Sequence, residues 1–183
     1  LALEGMRFTD AHSPSAVCTP TRYSLLTGRY GWRSRLKRSV LWEWDKPLIE
    51  KDRITIAQLL KDAGYDTALI GKWHLGWNWP GEQSSRRLED FRTLRDVEWD
   101  FTQAIAGGPT DRGFDYFYGY TGHVDGHFQY PHEGNRPMFD GYKDVTDRLA
   151  KCYTTDLFTA RAKKWIADHH KAHPEQPFFT YLA

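Results

Sequence analysis

The sequence predicts an α/β fold, a mostly parallel sheet flanked by helices, and three stretches predict it. In two of them a segment of helical period runs into an apolar strand, around residues 55–70 and again around 154–182. In the third, near the start, a strand candidate precedes a helix bracketed by proline and glycine. Alternation of this kind favours parallel pairing, because each crossover helix covers a sheet face.

In chain order, Met6 to Ala11 is a short strand candidate after a turn at Gly5. A helix begins near Pro20 and ends before Gly28, with proline in its first turn and glycine at its end. Thr55 caps the next helix, whose Ile56, Leu59, Leu60 and Ala63 share one face, and Gly64 ends it in the left-handed conformation. Tyr65 to Ile70 then reads as a buried strand closing at Gly71. Residues 77–144 are rich in Gly, Pro, His and aromatics with weak periodicity. They read as long functional loops plus a short helix around Leu88 to Val97. Toward the C-terminal end, Thr154 or Thr155 starts a helix carrying Leu157, Phe158, Ala162, Trp165 and Ile166 inward, with lysine and histidine in its last turns. Pro174 and Pro177 bracket a loop that leads into the strand Phe178 to Leu182.

Composition excludes several classes. The 183 residues are 40% hydrophobic and 15% aromatic, enough apolar surface to offset the entropy of ordering, so the chain is not a disordered segment. Lys and Arg number 25 against 24 Asp and Glu, a formal charge of +1 that implies no nucleic-acid partner. No apolar run approaches the length of a membrane span, so no transmembrane segment is expected. Two cysteines cannot build a disulfide framework. The start at Leu1 and the end within an apparent strand, Phe178 to Ala183, read as cuts, so an internal fragment truncated at both ends is expected.

Chemistry concentrates in two strings. The first is Cys18-Thr19-Pro20-Thr21-Arg22, continuing to Leu26-Thr27-Gly28-Arg29. It places a thiol at a helix N-terminus, where free N–H groups and a partial positive charge favour an anion, with Arg22 on the first turn. The second, Gly71-Lys72-Trp73-His74-Leu75-Gly76, follows the strand that ends at Ile70. In extended backbone Lys72 and His74 project to the same side, at the strand end where open α/β sheets hold ligands. A lysine there neutralises anionic oxygens, and a histidine hydrogen-bonds a nucleophile or shuttles protons.

The Cys-x-Pro-x-Arg string with its Leu-Thr-Gly-Arg continuation resembles the sulfatase signature. Gly-Lys-x-His-Leu-Gly matches the second signature of that family. Weaker echoes are Arg112-Gly113-Phe114-Asp115, Thr154 to Ala162 and Glu4 to Thr9. The resemblance implies the N-terminal part (residues 1–183) of a catalytic domain with the alkaline-phosphatase-like fold, its 77–144 loops facing substrate. It implies hydrolysis of sulfate esters to alcohol and inorganic sulfate, with Cys18 oxidised to formylglycine (3-oxoalanine) by a formylglycine-generating enzyme. A hydrated aldehyde explains the need for that change: one hydroxyl attacks sulfur, and the other loses its proton to expel sulfate. Arg22, Lys72 and His74 would then position the nucleophile, with Lys72 and His74 also binding the sulfuryl group.

The family binds one calcium ion, for which only Cys18, as formylglycine, would be a ligand in this stretch. Substrates would be sulfated small molecules or sulfated carbohydrates, with aromatic loops between Trp77 and Asp144 suited to sugar stacking, and export from the cytosol would be expected. A phosphonate or phosphate ester hydrolase of the same superfamily is the alternative enzyme. A non-catalytic binding protein that keeps the fold is the alternative of another class. Three features carry less weight. His123, Asp125, His127 and His132 read as a solvated or substrate-facing loop rather than a transition-metal cluster. Arg29, Arg33, Arg35, Lys37 and Arg38 form a basic run that suits a sulfate-binding surface or a plain solvated face, and Cys152 reads as a buried thiol.

Overall fold

A computed structural model describes residues 2–42, 45–79, 105–122, 129–130, 138–149 and 152–183. Its centre is β1 (Asp66–Ile70), whose Ala68, Leu69 and Ile70 are wholly buried. Burial on both faces is what a continuous apolar run in a central parallel strand requires. β1 pairs in parallel with β2 (Tyr116–Tyr120) on one side and with β5 (Phe178–Leu182) on the other. Two short antiparallel strands, β3 (Met138–Asp140) and β4 (Lys143–Asp144), extend the far edge, giving the order β4-β3-β2-β1-β5. The sheet therefore has a parallel centre and one antiparallel hairpin edge.

Side chains alternate across it, as a period of two demands. Leu69, Phe117 and Phe139 join Tyr23, Leu26 and Ala57 in one cluster, beneath α1 (Cys18–Thr27) and α2 (Ile56–Asp62). Ile70, Tyr118, Tyr120 and Met138 face the other way, against α3 (Thr154–Ala172). Ala162 of α3 is buried there, and Phe158 meets Tyr118 and Tyr120 edge-on with ring centroids 6.2 and 5.9 Å apart. Arg161 lies 4.2 Å over the Tyr118 ring and pairs with Asp140 at 3.0 Å. Leu157 and Trp165 pack half-buried on the same side and Ile166 is half-buried, in keeping with the inward face read from the sequence.

Several local expectations change. Met6 to Ala11 forms no strand, and Met6 and Phe8 are exposed, since extended backbone becomes a strand only by pairing along a sheet. α2 keeps its cap, Thr55 Oγ1 accepting from Gln58 N–H at 3.1 Å, but presents a different face. Ala57 is buried while Ile56 and Leu59 are exposed. The reason is close approach: Gly113 brings its backbone against Ala57 and Gln58, where no larger side chain could sit. Within 77–144, expected to be loops, lie β2, β3, β4 and a 3-10 turn at Pro109–Arg112. Trp77 and Trp79 are buried with Phe114 and Phe117, so these aromatics build core and present no stacking surface for sugar. The helix expected around Leu88 to Val97 lies outside the described residues.

Candidate active site

α1 positions the first string. Thr19, Tyr23 and Leu26 recur at helical spacing and are buried, which anchors one face of the helix in the core. Pro20 sits in the first turn, where its missing N–H costs no helical bond. Gly28 closes the helix at φ 65°, its N–H donating to the Ser24 carbonyl at 2.9 Å. Val17 precedes Cys18 and offers no side-chain cap, so the first N–H groups of α1 are not taken by one. The Cys18 side chain is half-buried and outside any disulfide.

The second string is fixed by the sheet. Past the end of β1, Gly71 N–H donates to Tyr118 O at 2.8 Å, Trp73 N–H to Tyr120 O at 2.9 Å, and His74 N–H to Thr121 O at 3.0 Å. Gly71 has φ 120°, and Gly119 of β2 lies so close to it that a Cβ on Gly119 would run into the Gly71 backbone. Those two glycines allow the turn to leave β1 without breaking contact with β2. The expected extended backbone from Lys72 to His74 is not found. His74 adopts φ 58°, a left-handed conformation that costs roughly 1–2 kcal/mol for a residue with a Cβ.

This turn meets α1 at two points. Arg22 Nη1 donates to the Lys72 carbonyl at 2.5 Å. His74, 1% exposed, directs Nε2 to the Leu41 carbonyl at 2.7 Å and to Thr19 Oγ1 at 3.2 Å. The structure thus draws the Arg22 and Lys72 segments together, and holds the His74 ring beside the residue that follows Cys18. Tyr181 of β5 is close by: burial raises its phenol pKa, and the charge of Arg22 partly offsets that rise. Thr19 and the Leu41 peptide are site residues that the sequence reading missed. The core-facing spacing of Thr19 with Tyr23 and Leu26 is a signal that could have found the first; nothing in the sequence marks the second.

Around the site, four of the five side chains of the basic run engage neighbouring groups. Arg29 pairs with Glu50 at 3.4 Å, Arg35 donates to the Lys46 carbonyl at 2.5 Å, and Lys37 to the Trp32 carbonyl at 2.9 Å. Arg33 lies 4.9 Å over the Trp32 ring. Cys152 is half-buried just before α3 rather than enclosed. His123, Asp125, His127 and His132 lie outside the described residues. Calcium asks for about six to eight oxygen ligands. Among the described residues no three His, Cys, Asp or Glu side chains gather where they could hold a metal ion, so these residues do not by themselves fit calcium. A formylglycine does fit at Cys18, at an uncapped helix start with partial exposure.

The family model described as Sulfatase matches residues 1–183. The chain belongs to the sulfatase family. An arylsulfatase of Hemicentrotus pulcherrimus is 30% identical over 185 residues, covering all of this chain and 31% of the relative. An N-acetylgalactosamine-6-O-sulfatase of Bacteroides thetaiotaomicron is 43% identical over 76 residues, 42% of this chain and 15% of the relative. The solved structure titled Ps i-CgsB superposes with a TM-score of 0.68 at 24% identity, over 96% of this chain and 36% of that one. Its likeness shows the fold, which is the alkaline-phosphatase-like α/β arrangement expected of a sulfatase. The chain spans about a third of the length of the first of these relatives. No described helix is long and apolar enough to cross a membrane.

Proposed function

We propose that the complete protein hydrolyses sulfate esters to an alcohol and inorganic sulfate, with formylglycine made from Cys18 as nucleophile. The observation that supports this most is the joining of the two signature strings: Arg22 of α1 bonded to the Lys72 carbonyl, and His74 bonded beside Thr19. Formylglycine supplies a hydrated aldehyde, whose two hydroxyls serve attack and release. α1 turns its N-terminal partial positive charge toward that position. Arg22 adds a full charge one helical turn away, held in place by its bond to Lys72 O. Lys72 adds a second cation at the end of β1, suited to oxygens that gain charge as the ester bond breaks. His74, with Nε2 committed to Leu41 O, offers its other ring nitrogen for proton transfer.

The substrate is a sulfate ester of a carbohydrate or of a small alcohol. One 43% identical relative carries an N-acetylgalactosamine-6-O-sulfatase name, and another an arylsulfatase name, which supports both members of that class. A formylglycine-generating enzyme is the partner that converts Cys18, and the family's calcium would draw its remaining ligands from beyond these residues. Export rests on the family resemblance, and cell fractionation tests it.

The test is turnover by the complete protein, co-expressed with a formylglycine-generating enzyme. It should hydrolyse an aryl sulfate, and Cys18→Ala should lower kcat by at least about 10³-fold, the scale of losing a nucleophile. Hydrolysis of a phosphate diester in preference to the sulfate would overturn the reading in favour of the phosphate ester alternative. No turnover of either after verified conversion would favour a binding protein.

A further inference from the structure

The Thr19 hydroxyl is the centre of a buried hydrogen-bond knot. Thr19 is 0% exposed. Leu41 N–H donates to Thr19 Oγ1 at 3.1 Å, and Thr19 O–H donates to the His74 carbonyl at 3.3 Å. The His74 ring then closes the loop, Nε2 lying 2.7 Å from Leu41 O and 3.2 Å from Thr19 Oγ1. A carbonyl oxygen can only accept. Nε2 must therefore carry a hydrogen, since a bare nitrogen would set lone pair against lone pair at 2.7 Å. The hydroxyl, with its own hydrogen directed to the His74 carbonyl, is the second acceptor of that N–H. One arrangement of hydrogens makes all four hydrogen bonds, and the alternative tautomer makes fewer.

Whatever the charge on the ring, the hydrogen on Nε2 stays, so the proton that His74 gains or gives up is the one on Nδ1. We infer that Thr19 is a positioning residue for the reaction: with the Leu41 peptide it fixes the tautomer and plane of His74, making Nδ1 the nitrogen that exchanges protons. The role of this lock in turnover rests on the sulfate ester reading above; the lock itself does not. It also accounts for the left-handed backbone of His74, held between its N–H bond to Thr121 O at 3.0 Å and its carbonyl bond from Thr19. One turn of α1 thus carries both the nucleophile precursor, Cys18, and the group that orients its proton-transfer partner.

The test uses the complete protein labelled with 15N-histidine, as wild type, Thr19→Val and Thr19→Ser, with His74→Gln to assign the ring signals. Conversion of Cys18 is measured for each, because Thr19 lies inside the signature, and rates are expressed per converted site. The wild-type ring should show a hydrogen on Nε2, and Thr19→Val, which also unties the Leu41 N–H and so loosens the carbonyl that selects that tautomer, should show mixed tautomers. Thr19→Val should also lower kcat about tenfold, the scale of one lost buried hydrogen bond, with KM changed less than about twofold. Thr19→Ser, which keeps the hydroxyl, should restore both. A wild-type ring with its hydrogen on Nδ1 alone would overturn the inference, as would a Thr19→Val ring and kcat like wild type. Equal damage from Ser and Val would assign Thr19 to packing and overturn it too. A locked Nε2–H in a converted protein that leaves sulfate esters intact would sink the proposed reaction and leave the lock standing.

Discussion

Arg22 shows how one side chain ties two chemical strings into a single site. Its guanidinium gives one donor to the Lys72 carbonyl at 2.5 Å, while its charge reaches Tyr181 on β5. A planar fork can bond that carbonyl and still aim other donors at an anion; an ammonium is a point charge with no such division. Arg22→Lys should therefore keep the fold by far-UV circular dichroism yet lower kcat on an aryl sulfate by roughly 10²-fold. An unchanged kcat would mean that charge alone suffices. At this scale the candidate side chains were legible: Cys18, Arg22, Lys72 and His74 each stand in a motif, and the structure brings the Arg22, Lys72 and His74 segments together beside Thr19. Thr19 and the Leu41 peptide were not, because they act through burial and backbone, and a carbonyl has no sequence signature. The extended backbone expected from Lys72 to His74 stops at His74 for a related reason, since contacts far apart in the chain hold that residue at φ 58°.

Asp115 joins three elements just before β2. Lys61 of α2 reaches its carboxylate at 2.5 Å, and Thr67 of β1 donates to it through both hydroxyl and N–H, at 2.9 and 3.0 Å. Burial pushes the carboxyl pKa up, but the bonds from Lys61 and Thr67 outweigh it and hold the pKa below its ordinary value. A lowered carboxyl pKa stabilises the fold at pH above the unfolded value of about 3.9 and loses that contribution as pH falls through the folded value. With the carboxylate partly exposed, the contribution is about 1 kcal/mol or less. Asp115→Asn should thus lower urea stability at pH 6 and bring no further loss near pH 2. A difference that grows toward low pH would contradict the assignment. The elements around this clamp differ in how openly the sequence declared them. α1, β1, α3 and β5 were legible from caps, period and bounding glycines or prolines. β2 was hidden because Tyr-Phe-Tyr-Gly-Tyr shows no polar alternation, and Gly119 reads as a loop residue until its contact with Gly71 is seen.

Across the whole molecule, the sheet is a partition with a function at one end. Leu69 and Phe117 anchor the α1 face, Ile70 and Tyr118 the α3 face, and the backbone leaving β1 carries Lys72 and His74 to α1. The strand-end turn is held twice, by the neighbouring β2 segment through Tyr120 and Thr121 and by α1 through Thr19 and Arg22. That architecture was foreseeable in class and not in detail, since the antiparallel edge and the bent turn follow from contacts far apart in the chain. The reaction assigned to the site depends on Cys18 being more than a thiol. Mass spectrometry of the tryptic peptide from Phe8 to Arg22, from the complete protein made with a formylglycine-generating enzyme, tests that most directly. The account predicts the mass of the aldehyde at Cys18; an intact thiol under those conditions would contradict it.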